Sequence, residues 1–198
     1  MKHVGMLLTF ALLLVGCSQE AVGNTGDLVV AGQVRNWLPS YGSTLKAIAG
    51  TNETLGSGPI DTEGNFSLTV NPPFYTLGNI EPCQNASSTI VTSPESLRTS
   101  SVKLEIAEQQ RSFVLRTDAR GFTQEAINVY ADQAGTVRGQ VQCPDNSTLR
   151  FNLTLVKGWN LIMSEVQTEG RDGDSLIATY SSVNEADVAA FNWYAYVP

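Results

Sequence analysis

Most enzyme mechanisms at neutral pH borrow an imidazole, and the single histidine of this 198-residue chain is His3. It lies in an N-terminal segment that reads as a removable export signal, so the mature chain has none. That excludes Ser-His-Asp and Cys-His nucleophile systems, His-bearing zinc sites and imidazole acid/base catalysis. Paired carboxylates remain open, since glycoside hydrolysis needs only two of them about 5–9 Å apart. The candidates are Glu165, Glu169, Asp172 and Asp174. Carboxylates around turns are ordinarily solvated, so the expectation is no catalysis, with a carboxylate-dependent glycosidase as the alternative. Ser43/Lys46 and Ser100/Lys103 have the spacing of a Ser-Lys dyad, but they enter predicted strands, where residues three apart point to opposite faces. Asp172-Gly173-Asp174 could open a calcium loop, yet the twelfth position, which needs a bidentate Glu, is Val183. Gly56-Ser57-Gly58 lacks the Lys-Ser/Thr and the helix of a phosphate loop. No metal or cofactor is expected.

The location is more legible than the chemistry. Lys2 and His3 form a short positive region, followed by a largely apolar run over residues 4–16. That run is shorter than the roughly 20 residues a spanning helix needs. It ends in Leu14-Val15-Gly16-Cys17, which resembles the lipobox of bacterial lipoproteins. The resemblance implies that Cys17 receives a diacylglycerol, becomes the first mature residue after cleavage, and is then acylated. Each buried CH₂ contributes about 0.8 kcal/mol of membrane affinity, so several chains hold durably. Ser18 resembles the family's default for the outer membrane, if the source has one. The implied location is the bacterial cell envelope, with the membrane as partner through the lipid on Cys17.

Residues 1–16 are thus expected to be removed, 17–26 to be the lipidated N-terminus and a flexible tether, and 27–198 to be the folded domain. A subdivision near residue 72 is the alternative. Losing Lys2 leaves 11 basic against 19 acidic residues, a net charge of −8 where the full chain has −7. An acidic body should not adhere to anionic lipid by itself, and it argues against a nucleic-acid partner.

With Cys17 lipidated, Cys83 and Cys143 are the two remaining cysteines. In an oxidising compartment an isolated pair most simply forms a disulfide, closing a loop of about 60 residues for about 3–4 kcal/mol. A redox or metal site is the alternative, without a CxxC or a third thiol to support it. Among the aromatics, Trp37, Trp159, Trp193 and Tyr194 could line a sugar- or peptide-binding face, with Tyr196 beside them. The competing use of the same strand positions is core and cross-strand packing. Trp159 follows a turn and Trp37 precedes Pro39, which would leave either partly exposed.

The elements that must position these residues read as short β-runs between turn residues, without a long amphipathic helix. Strands are expected at 28–34, 44–49, 65–70 and 102–106, with 112–115 returning as a hairpin partner of the last. The 74–100 stretch reads as a long loop holding one strand at 89–92 and a single helical turn at 93–95. Strand 126–130 is expected to return through a turn as 136–142. Strand 149–155 is expected to return through a two-residue Lys157-Gly158 turn as 159–163. A turn at 168–174, a strand at 176–180, one or two helical turns at 184–190 and a strand at 191–197 complete the chain. About ten strands joined by hairpins indicate an all-β antiparallel sandwich or open barrel.

Gly32-Gln33-Val34, then Leu45-Lys46-Ala47-Ile48-Ala49, then Thr62-Glu63-Gly64-Asn65-Phe66-Ser67-Leu68 resemble transthyretin-like, carboxypeptidase-regulatory-like β-sandwich modules. The likeness spans residues 28–72 and implies a non-catalytic sandwich. The expected function is therefore a lipid-anchored envelope protein with a structural or binding β-domain. The alternative is a carbohydrate-binding or glycan-processing lipoprotein, and an envelope glycan or protein is the expected further partner.

Overall fold

A computed structural model describes residues 23–50, 52–74, 78, 83, 87–108, 111–113, 124–169, 175–188 and 191–195. The expected signal over residues 1–16, Cys17, Asp172, Asp174 and Tyr196 lie outside the described residues. The fold is all-β. In chain order the strands are β1 (Leu28–Arg35), β2 (Thr44–Ala49), β3 (Glu53–Pro59), β4 (Asn65–Val70), β5 (Ser87–Ser88), β6 (Val91–Ser93) and β7 (Thr99–Ile106). They continue as β8 (Arg111–Phe113), β9 (Gln124–Ala131), β10 (Gly135–Gln142), β11 (Thr148–Leu155), β12 (Gly158–Glu169), β13 (Ser175–Ser182) and β14 (Trp193–Tyr194). Two 3-10 turns, Pro39–Tyr41 and Glu185–Val188, are the helical elements among the described residues.

Two open sheets form. The smaller has the order β14-β1-β4, and the larger runs β3-β2-β7-β9-β12-β13-β11-β10-β5, with β6 on β10 and β8 on β7. The first core lies between them. The small sheet contributes Val30, Val34, Phe66, Leu68, Val70 and Trp193, and the large one Leu45, Ala47, Ala49, Leu55, Leu104, Ile106 and Trp159. The sheets meet at a corner that β3 makes with β4. Ile60 bridges Phe66, and Asn71 N–H donates to the Leu55 carbonyl at 2.9 Å. Between these points Gly56 lies so close that a Cβ would strike the Thr69 carbonyl oxygen.

A second core is built on the large sheet without the small one. Val129 and Ala131 of β9, Ile162 of β12, Phe151, Leu153 and Leu155 of β11, and Val137 and Val141 of β10 form one cluster with Leu97 and Cys143. Val137 is fully buried although no strand of the small sheet contributes to this cluster, so this part of the large sheet curls over its own apolar face. Strand alternation makes β9 and β12 the wall between the cores. Val129 and Ile162 face the second core, while Tyr130 and its partner Trp159 face the first.

Strand positions follow the sequence closely, whereas pairing does not. β2–β3, β7–β8, β10–β11 and β12–β13 pair with their chain neighbours. The expected return of β9 as β10 does not occur: β9 pairs with β7 and β12, and β10 with β11, β5 and β6. Nor is Lys157-Gly158 a hairpin turn, since β11 runs parallel to β13 and β12 pairs with β9 and β13. In place of one strand at 89–92, β5 and β6 flank Thr89, whose N–H donates to the Gln140 carbonyl. Residues 94–97 form a tight turn, closed by Leu97 N–H on the Pro94 carbonyl, in place of a helical turn at 93–95. The final strand is short and lies parallel to β1, with Val34 opposite Trp193.

The expected tether is partly docked. Gly23 N–H donates to the Lys157 carbonyl at 2.7 Å, Trp159 N–H to the Asn24 carbonyl at 2.9 Å, and Trp159 Nε1–H to the Gly26 carbonyl at 2.8 Å. Gly158 has φ +100, and a Cβ there would strike the Asn24 carbonyl oxygen. Its positive φ, expected to serve a hairpin, serves this close approach instead.

Candidate functional site

Of the residues singled out by type, the structure joins one pair. Cys83 and Cys143 form a disulfide with Cα atoms 6.0 Å apart, spanning 60 positions. Cys143 leads into the β10–β11 turn, where Asp145 accepts from the Ser147 hydroxyl at 2.6 Å and from its N–H at 3.0 Å. The serine hydroxyl and N–H hold the Asp145 carboxyl below its ordinary range. The disulfide thus ties Cys83 to the second core, of which Cys143 is a member.

The aromatics are packed. Trp37, Trp159 and Trp193 are 9%, 8% and 6% exposed, all within the first core. Each makes an edge-to-face pair: Trp37 with Tyr41 at 5.5 Å, Trp159 with Tyr130 at 5.2 Å, and Trp193 with Phe66 at 5.3 Å. The expected partial exposure of Trp37 and Trp159 is not found, because the β1–β2 connection and the docked N-terminal segment cover them. Tyr194 is half-buried opposite Arg35. The three indoles are therefore not an aromatic platform facing solvent.

The Ser-Lys spacings do not make dyads either. The Ser43 hydroxyl donates to Glu108 Oε1 at 3.1 Å, and Lys103 Nζ pairs with Glu105 at 2.6 Å on the same strand face. Ser100 is buried at the start of β7.

Residue type alone did not reveal the polar cluster that the sheet assembles. Glu125 of β9 stands opposite Ser164 of β12, which stands opposite Tyr180 of β13, which stands opposite Phe151 of β11. This row crosses four strands on the face of the second core. Ser164 is buried at 4% exposure, and its hydroxyl is hydrogen-bonded to that of Tyr180. The Tyr180 ring stacks on Phe151 with centroids 4.9 Å apart and planes at 6°. Burial pushes the Glu125 carboxyl up. It pushes the Tyr180 phenol up too, with the nearby Glu125 charge adding to the rise and the Ser164 hydrogen bond opposing it. A signal did exist in the sequence: Ser164 falls on the apolar parity of β12 between Ile162 and Val166.

The row offers one carboxyl, raised by burial, beside two hydroxyls, not a carboxylate pair. Glu165 is opposite Gln124 and Thr179, one position off the row, and so projects from the other face. Glu169 lies four positions further along β12, about 13 Å at the strand rise. Among the described residues no three His, Cys, Asp or Glu side chains gather to hold a metal ion. No family model, curated protein or solved structure matches the chain.

Proposed function

We propose that the protein is a lipid-anchored lipoprotein of the bacterial cell envelope whose β-sandwich has a non-catalytic, structural or protein-binding role. The Cys83–Cys143 disulfide carries the reading. Disulfides persist in oxidising, exported settings, and joining these two cysteines leaves Cys17 of the lipobox as the third. The likeness of residues 28–72 to non-catalytic transthyretin-like modules supports the same reading. So does the use of all three indoles in the first core, which favours it over glycan binding.

The test is mass spectrometry of the mature N-terminus after expression in a bacterium, with fractionation of wild type and Cys17→Ser. Wild type should carry a diacylglyceryl group on Cys17 and sediment with membranes, and Cys17→Ser should leave the membrane fraction. A Cys17→Ser protein that still sediments with membranes and keeps lipidated mobility would refute the anchor. Saturable binding of envelope glycans by the detergent-solubilised protein would refute the structural or protein-binding role, and their hydrolysis the non-catalytic one, in favour of the glycan alternative.

A further inference from the structure

The docked residues 23–26 decide more than the start of the fold. We infer that this segment is a latch holding the strand end that carries Lys157 and Phe74 against the lipid surface. The inference rests on the lipid-anchor reading above. Six residue steps separate Cys17 from Gly23, at most about 20 Å of chain. Gly23 does not leave the body freely. Its N–H is bonded to the Lys157 carbonyl, Asn24 and Gly26 accept from the Trp159 backbone and indole, and Trp159 sits in the first core. The anchored chain therefore emerges at a defined corner between β11 and β12.

Strand registers show what else lies at that end. Gly158 is opposite Ala131, which is opposite Thr99. Leu28 is opposite Val70, so the chain after β4 runs out beside the latch. There Phe74, bonded through its N–H to Glu53 at the start of β3, is 77% exposed. Lys157 is exposed as well. An exposed aromatic and an exposed cation at one strand end suit the interfacial zone of a bilayer. Carboxylates lie at both strand ends, Asp27, Glu53 and Asp132 at this one and Asp61, Glu63, Glu108 and Asp145 at the other, so charge does not distinguish them. The short reach of the anchored chain, fixed at Gly23 by its bond to Lys157, sets the orientation.

The test uses full-length lipidated protein in phosphatidylethanolamine/phosphatidylglycerol vesicles containing doxyl-labelled lipid. A bimane fluorophore is placed on Gln133→Cys, in the β9–β10 connection at the latch end, or on Glu63→Cys at the far end. Quenching at position 133 should exceed that at position 63 by at least about twofold. Equal quenching, or stronger quenching at position 63, would overturn the orientation. Gly158→Val places a side chain against the Asn24 carbonyl and should reduce the difference, while an unchanged difference would overturn the latch. The wild-type comparison stands if that variant fails to fold. Loss of the acyl group on Cys17 by mass spectrometry would defeat the anchor reading alone. In that case the same probes are compared on protein held to nickel-chelating lipid by a hexahistidine tag replacing residues 1–17, and the same two results decide.

Discussion

Trp159 joins the docked N-terminal segment to the first core, and its replacement has a magnitude that follows from its surroundings. The ring is 8% exposed, packs edge-to-face on Tyr130 at 5.2 Å and donates its Nε1–H to the Gly26 carbonyl at 2.8 Å. Trp159→Phe keeps an aromatic against Tyr130 but removes the donor and part of the ring. A net hydrogen bond is worth about 0.5–1.5 kcal/mol, and a lost methylene-sized volume adds about 1 kcal/mol. The expected destabilisation is therefore about 1–3 kcal/mol. Trp159→Ala also removes the aromatic pair and leaves a cavity between the sheets, and should cost about 3–5 kcal/mol. Urea denaturation followed by circular dichroism, with the disulfide intact, measures both. A Tyr130→Leu, Trp159→Phe double-mutant cycle isolates the ring contact, with an expected coupling of about 0.5–1.5 kcal/mol. If Trp159→Ala costs less than about 1 kcal/mol, the ring is not a core element and the reasoning fails.

The Cys83–Cys143 disulfide closes 60 positions, so the double Cys→Ser variant should lose about 4 kcal/mol by the chain-entropy model, read as a lower urea midpoint than the oxidised protein; an unchanged midpoint would remove its role as a staple. Burial raises the Glu125 carboxyl above its ordinary 4.5, so the folded state binds the proton more tightly than the unfolded chain. That contribution is fully present below the ordinary glutamate value and is lost as pH rises through the raised one. Glu125→Gln should thus be more stable than wild type at pH 8 and differ little from it at pH 4. A variant equally or less stable at pH 8 would mean that burial does not penalise this carboxylate.

The positions of most strands were legible because they depend on local chemistry. Asn65-Phe66-Ser67-Leu68-Thr69-Val70 alternates and buries its Phe, Leu and Val, and Leu149 to Leu155 behaves likewise. β3 escaped notice because Gly56, Ser57, Gly58 and Pro59 read as connection, yet the absence of side chains is what lets its backbone lie against β4. Pairing was less legible still. Lys157-Gly158 has the composition of a hairpin turn, but the φ of +100 at Gly158 is used to admit the Asn24 carbonyl. A turn signal reports a local conformation and cannot report which distant backbone will occupy the space it opens.

The sequence by itself determined the all-β class, the cysteines available for a staple, and the confinement of its one histidine to position 3. These are matters of residue inventory and short-range periodicity, which the chain carries wherever it goes. Only the tertiary structure decided that β9 and β12 are buried on both faces between two cores, that the indoles lie inside, and that Glu125, Ser164 and Tyr180 share one row. Those outcomes depend on pairing register between strands far apart in sequence. A shift of one residue in that register exchanges every inward side chain for its outward neighbour.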